Sequence, residues 1–178
     1  AYSTNLFPLR GGKGYQWEGG TRIPYFVSIP WLSNKSTKIN TPVIGTDFYP
    51  TILELAGIEL KSDANIDGVS LMPLLMGEKI VSRPLFWHYP HYGNQGGEPS
   101  SIIRENNWKL IHYWEGRYDE LYNLNTDIGE ENNVADKHPE IVANMNKQLM
   151  EWIYKTDAKL PITDSLFNND SLNTRLQN

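Results

Sequence analysis

Between Leu85 and Lys155 the chain carries four short runs with strand texture and then one long run at helical spacing, an order that few folds accept. Leu85–Tyr89, Ser101–Arg104, Trp108–Trp114 and Glu120–Leu124 read as the strands. Asn106-Asn107 supplies a tight turn between the second and third, and Glu115-Gly116-Arg117 one between the third and fourth. Strands joined by turns this short pair as an antiparallel meander, expected here to keep one face wet. Pro139–Lys155 predicts a helix, with Pro139 suited to its first position and Glu140 to the positive end of its dipole. Val142, Met145, Leu149 and Trp152 recur at helical spacing, with Ile141, Gln148 and Ile153 beside them, so this stripe is expected to pack across the sheet.

The sequence before this unit has another texture. Residues 9–24 contain five glycines and read as a shaped loop. Tyr25–Ile29 predicts a short buried strand ended by Pro30, and a polar loop follows from Ser33 to Asn40. Thr46–Ala56 predicts a helix with Thr46 as N-cap, Asp47 at the positive end of the dipole and Pro50 in the first turn. Ile52, Leu53, Leu55 and Ala56 form its expected buried side, and Gly57 its stop. Asp67-Gly68 marks a turn, and Leu71–Leu75 a helical turn ended by Gly77. One strand and one or two helices cannot shield both faces of an α/β sheet, so further sequence upstream is expected, and the lack of an initiator Met agrees. The fold class expected is α+β: residues 1–80 as an incomplete piece of an α/β layer, 81–158 as a sheet with a covering helix, and 159–178 as a polar tail.

Composition narrows the function classes. A net charge of −5 without any Lys/Arg run argues against a nucleic-acid face. No apolar run approaches the roughly 20 residues of a membrane span, and the start lacks the pattern of a signal peptide. With no cysteine, disulfides, thiolate metal sites and cysteine nucleophiles are all excluded. Of the 6 Trp and 10 Tyr, Trp87, Tyr89, Tyr92, Trp108, Tyr113 and Trp114 cluster between Leu85 and Trp114, where they either pack a small core or line a ligand surface.

Five segments, in order, resemble type I sulfatases of the alkaline-phosphatase superfamily. They are Gly12-Lys-Gly-Tyr-Gln-Trp-Glu-Gly-Gly-Thr-Arg-Ile-Pro24, Asp47-Phe-Tyr-Pro-Thr-Ile-Leu-Glu-Leu-Ala-Gly57, Asp67-Gly-Val-Ser-Leu-Met-Pro-Leu-Leu75, Trp108-Lys-Leu-Ile111 and Glu120-Leu-Tyr-Asn-Leu124. Each alone is weak, and their register together carries the resemblance. It implies a large α/β domain followed by a four-stranded sheet with a packed helix, the arrangement that periodicity also gives. It further implies a sulfuric-ester hydrolase, calcium, and a formylglycine made from Cys or Ser within C/S-x-P-x-R. That pattern and any metal-ligand cluster are missing from this sequence, so calcium and formylglycine are expected outside the chain, none bound by the fragment alone, and the fragment alone is expected to be inactive. The implied partner is a sulfated carbohydrate, with the missing N-terminal catalytic region and self-association also expected. Bacterial relatives of this kind imply a periplasmic or secreted location.

Lys13 matches the family lysine that contacts the sulfate group, and an ammonium between two glycines can approach an oxyanion closely. The bland alternative is a solvated lysine. His88, His91 and Tyr92 are expected to bind the sugar, with Trp87 offering a ring face, although an aromatic strand packing on the sheet explains them as well. Pro90 and the strand pattern argue against a histidine metal pair. Glu18 and Arg22 read as structural, Arg104 as either pocket-facing or paired at the surface with its neighbours Glu105 and Lys109, and His112 and His138 as surface or capping residues. Asp127, Glu130, Glu131 and Asp136 read as a solvated acidic surface. The rival readings are a phosphodiester or phosphonate monoester hydrolase of the same superfamily, and a non-catalytic glycan-binding or interaction module.

Overall fold

The computed structural model describes residues 6–32, 36–61, 63 and 67–162. The four alternating runs form β1 (Leu85–Tyr89), β2 (Ser100–Glu105), β3 (Trp108–Tyr113) and β4 (Tyr118–Asn123), one antiparallel sheet in the order β1-β2-β3-β4. The turns are tight because Asn106, Gly116 and Arg117 take left-handed backbone angles, with φ of 52°, 76° and 50°. Pairing Ile103 with Leu110, and Leu110 with Leu121, sets these three on one face.

Helix α4 (Pro139–Lys155) covers that face by packing on β2 and β3. Met145, Leu149 and Ile153 are buried against Ile103, Leu110 and Leu121. Phe86 of β1 stacks on Trp152 with ring centroids 4.9 Å apart. The predicted stripe therefore faces the sheet, with Ile153 more deeply placed than Trp152.

The opposite face is also dry, contrary to expectation. Ile102, Ile111, Tyr113, Tyr122 and Leu124 form a second buried cluster joined by Trp17, Trp87 and Ile128. The reason is covalent: Ile102 and Ile103, like Leu110 and Ile111, are neighbours, so apolar side chains leave the sheet on both sides. The glycine-dense loop and the connection after β4 provide the cover.

Ahead of the sheet lie α1 (Glu18–Thr21), α2 (Phe48–Leu55), entered through a 3-10 turn at Gly45–Asp47, and α3 (Met72–Leu75). The strand expected at Tyr25–Ile29 is not formed. A strand needs a neighbour's backbone to complete its ladder, and none is supplied among the described residues. Phe26 is 91% exposed there. Thr46 does not cap α2, and Ile52 and Ala56 are exposed, so the expected buried side is held instead by Pro50 and Thr51. Asp47 is the organiser. Its carboxylate accepts N–H bonds from Ile44 and Val69, both at 3.0 Å, and ion-pairs with Arg83 just ahead of β1. Thr51 Oγ1 donates to the Asp47 carbonyl at 2.6 Å and accepts the Leu71 N–H at 2.9 Å, which joins α2 to the segment leading into α3.

Among the described residues no helix is long and apolar enough to cross a membrane. Residues 33–35 of the expected polar loop and 163–178 of the expected tail lie outside the described residues. Leu149→Ala is expected to cost about 2–5 kcal/mol in denaturant unfolding, by loss of apolar burial plus a cavity. Tyr154→Ala, at a position 76% exposed on the same helix, should stay within about 0.5 kcal/mol.

Candidate functional site

The glycine-dense loop is seated on the sheet by a buried ion cluster. Lys109 of β3 is 1% exposed, and its Nζ lies 3.1 Å from Glu18 Oε1 and 2.9 Å from Glu130 Oε1. Arg104 Nη1 approaches the other Glu18 oxygen at 3.4 Å. Glu130, fully buried, also accepts the Glu18 backbone N–H at 2.5 Å through Oε2. Burial raises the Glu130 carboxyl above its usual range, against the lowering pull of the Lys109 ammonium. Glycine is required in this loop by close approach: a Cβ on Gly20 would meet the Tyr15 carbonyl oxygen at 1.9 Å.

A second set of contacts fixes the loop's other side. The Arg10 guanidinium lies 3.8 Å above the Trp17 ring and donates to Tyr122 Oη at 3.0 Å and to the Glu130 carbonyl at 2.8 Å. Trp17 stacks on Tyr15 at 5.5 Å. Tyr15 in turn lies against Gly96, where a Cβ would sit 2.1 Å from the Tyr15 ring. Tyr113 gives its hydroxyl proton to Glu120 at 2.8 Å and accepts from Gln16 Nε2 at 2.8 Å. A phenol has one proton, so this relay fixes the Gln16 amide with Nε2 toward Tyr113. Burial pushes the Tyr113 and Tyr122 phenols well up, which keeps both neutral donors.

Between this loop and the aromatic end of β1 lies a cavity of about 410 Å³. Lys13, Tyr15 and Gln16 line one side. Trp87, Tyr89, Asn94, Gln95 and Glu98 line another. Lys13 is exposed and has no ion pair or hydrogen bond among the described residues, so its charge is free for a ligand. His88 also borders the cavity, but both ring nitrogens are engaged, Nδ1 with Ser101 Oγ at 2.7 Å and Nε2 with the Lys159 carbonyl at 2.8 Å. A carbonyl only accepts, so Nε2 carries the proton. His91 and Tyr92 do not border the cavity: His91 meets Tyr89 edge-on, and the Tyr92 hydroxyl binds Glu115. Lys13 and His88 are thus brought together, while His91 and Tyr92 stand outside. Among the described residues no group of three or more His, Asp or Glu side chains could hold a metal ion, so the residues present do not fit a calcium site.

The protein-family profile described as "N-sulphoglucosamine sulphohydrolase, C-terminal" matches residues 12–155. This chain belongs to that family of sulfatase C-terminal regions. It is 34% identical over 171 residues to a sulfatase of Formosa agariphila, covering 87% of this chain and 31% of that protein. The chain thus spans about a third of the length of this relative. Among solved structures, Ps i-CgsB in complex with k-i-k-neocarrahexaose superposes with a TM-score of 0.72 at 26% identity, over 97% of this chain and 37% of that one. BT4656 in complex with its substrate D-glucosamine-2-N,6-O-disulfate gives 0.54 at 29% identity, over 64% and 24%. The sheet, its helix and the α+β class are those of sulfatases with the alkaline-phosphatase-like fold.

Several residues of this sulfatase region were misplaced by sequence reasoning. Glu130 is fully buried rather than part of a solvated acidic surface. Arg104 pairs with Glu18 and not with Glu105, and Lys109 is at the centre of the cluster rather than at the surface. A signal was present for Lys109: it shares a face with Ile111 and Tyr113, and a cation on an apolar face needs a buried partner. Tyr15, Asn94, Gln95 and Glu98 gave no signal, because their shared cavity depends on a fold-back between distant segments.

Lys109→Met should destabilise the intact protein by about 3–5 kcal/mol in urea unfolding, since it strands two buried carboxylates. The raised Glu130 carboxyl contributes stability below the ordinary glutamate value of 4.5, lost as pH rises through the folded value. Glu130→Gln removes this titration, so urea midpoints measured from pH 4 to 8 should fall less steeply in the variant.

Proposed function

We propose that this chain is the C-terminal part of a sulfatase that hydrolyses sulfate esters of carbohydrates, with the cavity beside Lys13 forming part of its substrate pocket. The observation that carries this reading is the unpaired Lys13 ammonium sharing one cavity with the Trp87 and Tyr89 rings and the Asn94 and Gln95 amides. A sulfate monoester is an anion, and hydrolysis shifts further negative charge onto its oxygens, which a preorganised cation stabilises. Trp87 and Tyr89 offer ring faces for sugar C–H groups, and the amides can donate to and accept from hydroxyls. The carbohydrate ligands of Ps i-CgsB and BT4656 support the substrate class.

His88 contributes in this reading as a wall of fixed orientation, while His91 acts through Tyr89 and Tyr92 through the loop it ties to Glu115. The calcium ligands and the formylglycine implied by the resemblance would lie in sequence outside these 178 residues. The location, outside the cytoplasm, belongs to the same proposal.

The test is hydrolysis of an aryl sulfate and a panel of sulfated sugars by the full-length enzyme and its Lys13→Ala variant. Loss of one oxyanion-stabilising donor is expected to lower kcat about 10²–10³-fold, with far-ultraviolet circular dichroism unchanged. Unchanged turnover would return Lys13 to the role of a solvated loop residue. Hydrolysis of phosphate but not sulfate esters by the wild type would overturn the sulfatase reading.

A further inference from the structure

The cavity is lined by two charges of opposite sign. Lys13 is its donor-rich part. Glu98 lines the same cavity, is exposed, and has no ion pair or hydrogen bond among the described residues. The two charges line one cavity and are not paired with each other. Gly14, next to Lys13, lies against Gln95 in the 93–97 loop. The Glu98 charge also helps, after burial, to raise the Tyr118 phenol.

Gln16 lies on the Lys13 side of the cavity. It lines the cavity, is 6% exposed, and its Nε2 is committed to Tyr113, whose own proton goes to Glu120. The amide oxygen Oε1 is consequently turned away from that relay, and it is buried without a hydrogen-bond partner. That buried oxygen is closed to a ligand, so the acceptor that the cavity presents without a donor is the Glu98 carboxylate. A sulfate ester offers only acceptor oxygens and negative charge, whereas a free sugar hydroxyl offers a proton.

We propose that Glu98, in the same cavity as Lys13 and on another of its walls, is a specificity determinant that confines the ligand's sulfate to the Lys13 side and requires free hydroxyls on the sugar unit at the Glu98 side. This rests on the sulfatase reading above and adds the sulfation pattern of the substrate. Glu98 discriminates by repulsion: a second sulfate would meet an unpaired carboxylate, and specificity is often set by such an unfavourable element. In the accepted substrate, a hydroxyl donates to Glu98 in a charge-assisted bond.

The experiment compares kcat/KM of the full-length enzyme on a monosulfated disaccharide that it hydrolyses and on the same disaccharide with a sulfate on the second ring. Glu98→Gln keeps the shape, removes the charge and adds an N–H donor. It is expected to weaken the monosulfated substrate about threefold and to improve the disulfated one about threefold, a shift of roughly tenfold in their ratio, carried by KM. Opposite signs on the two substrates cannot come from a merely damaged pocket. Glu151→Gln, which removes an equal charge from the exposed side of α4 and outside the cavity's lining, is expected to leave the ratio unchanged. An active wild type whose ratio does not move in Glu98→Gln, or moves equally in Glu151→Gln, overturns this proposal and leaves the sulfatase reading standing. A wild type that hydrolyses no sulfated sugar overturns both.

Discussion

The contact between Lys109, Glu18 and Glu130 is the constraint from which the rest of this structure follows. Three charges from β3, the loop helix α1 and the connection after β4 meet where water is excluded. Such a cluster contributes little net stability over an apolar substitute, because desolvation of each ion offsets most of the attraction. What it does supply is a single permitted position. Moving Glu18 by one residue would leave a buried ammonium short of its partner, so the loop can sit on the sheet in one register only. Arg104 and the Glu18 backbone N–H narrow the choice further.

Once the loop is seated, its glycines and aromatics shape what lies above it. The column from Arg10 through Trp17 and Tyr15 to Gly96 joins the sheet's cover to the loop after β1. Lys13 is carried on the free side of this column, and the aromatic end of β1 closes the opposite side. The cavity is thus a seam between two segments about eighty residues apart in sequence, both anchored on the same sheet. Its chemistry divides in the same way, with a cation from one segment and a carboxylate from the other.

The two faces of the sheet play different parts. Helix α4 closes one face with aliphatic packing and the stacked Phe86–Trp152 pair, which gives a rigid support. The other face is covered by polar and charged elements whose bonds are directional. Rigid backing on one side and fixed polar geometry on the other suit a site that must hold an anion in place.

The helix Pro139–Lys155 and the four-stranded meander were legible in the sequence, because both depend on local period and turn chemistry: apolar residues recur at helical spacing from Val142, and Asn106 and Gly116 permit the reversals. The family was legible too, through five motifs in register. The dry second face, the burial of Lys109 and Glu130, and the engagement of both His88 nitrogens were decided only by the tertiary structure. Charge and exposure are not local properties, since a lysine's environment is set by carboxylates 91 residues before it and 21 after it, as numbering from Glu18 through Lys109 to Glu130 shows. The unformed strand at Tyr25–Ile29 teaches the same point in reverse, for an apolar run becomes a strand only where another backbone completes its hydrogen bonds.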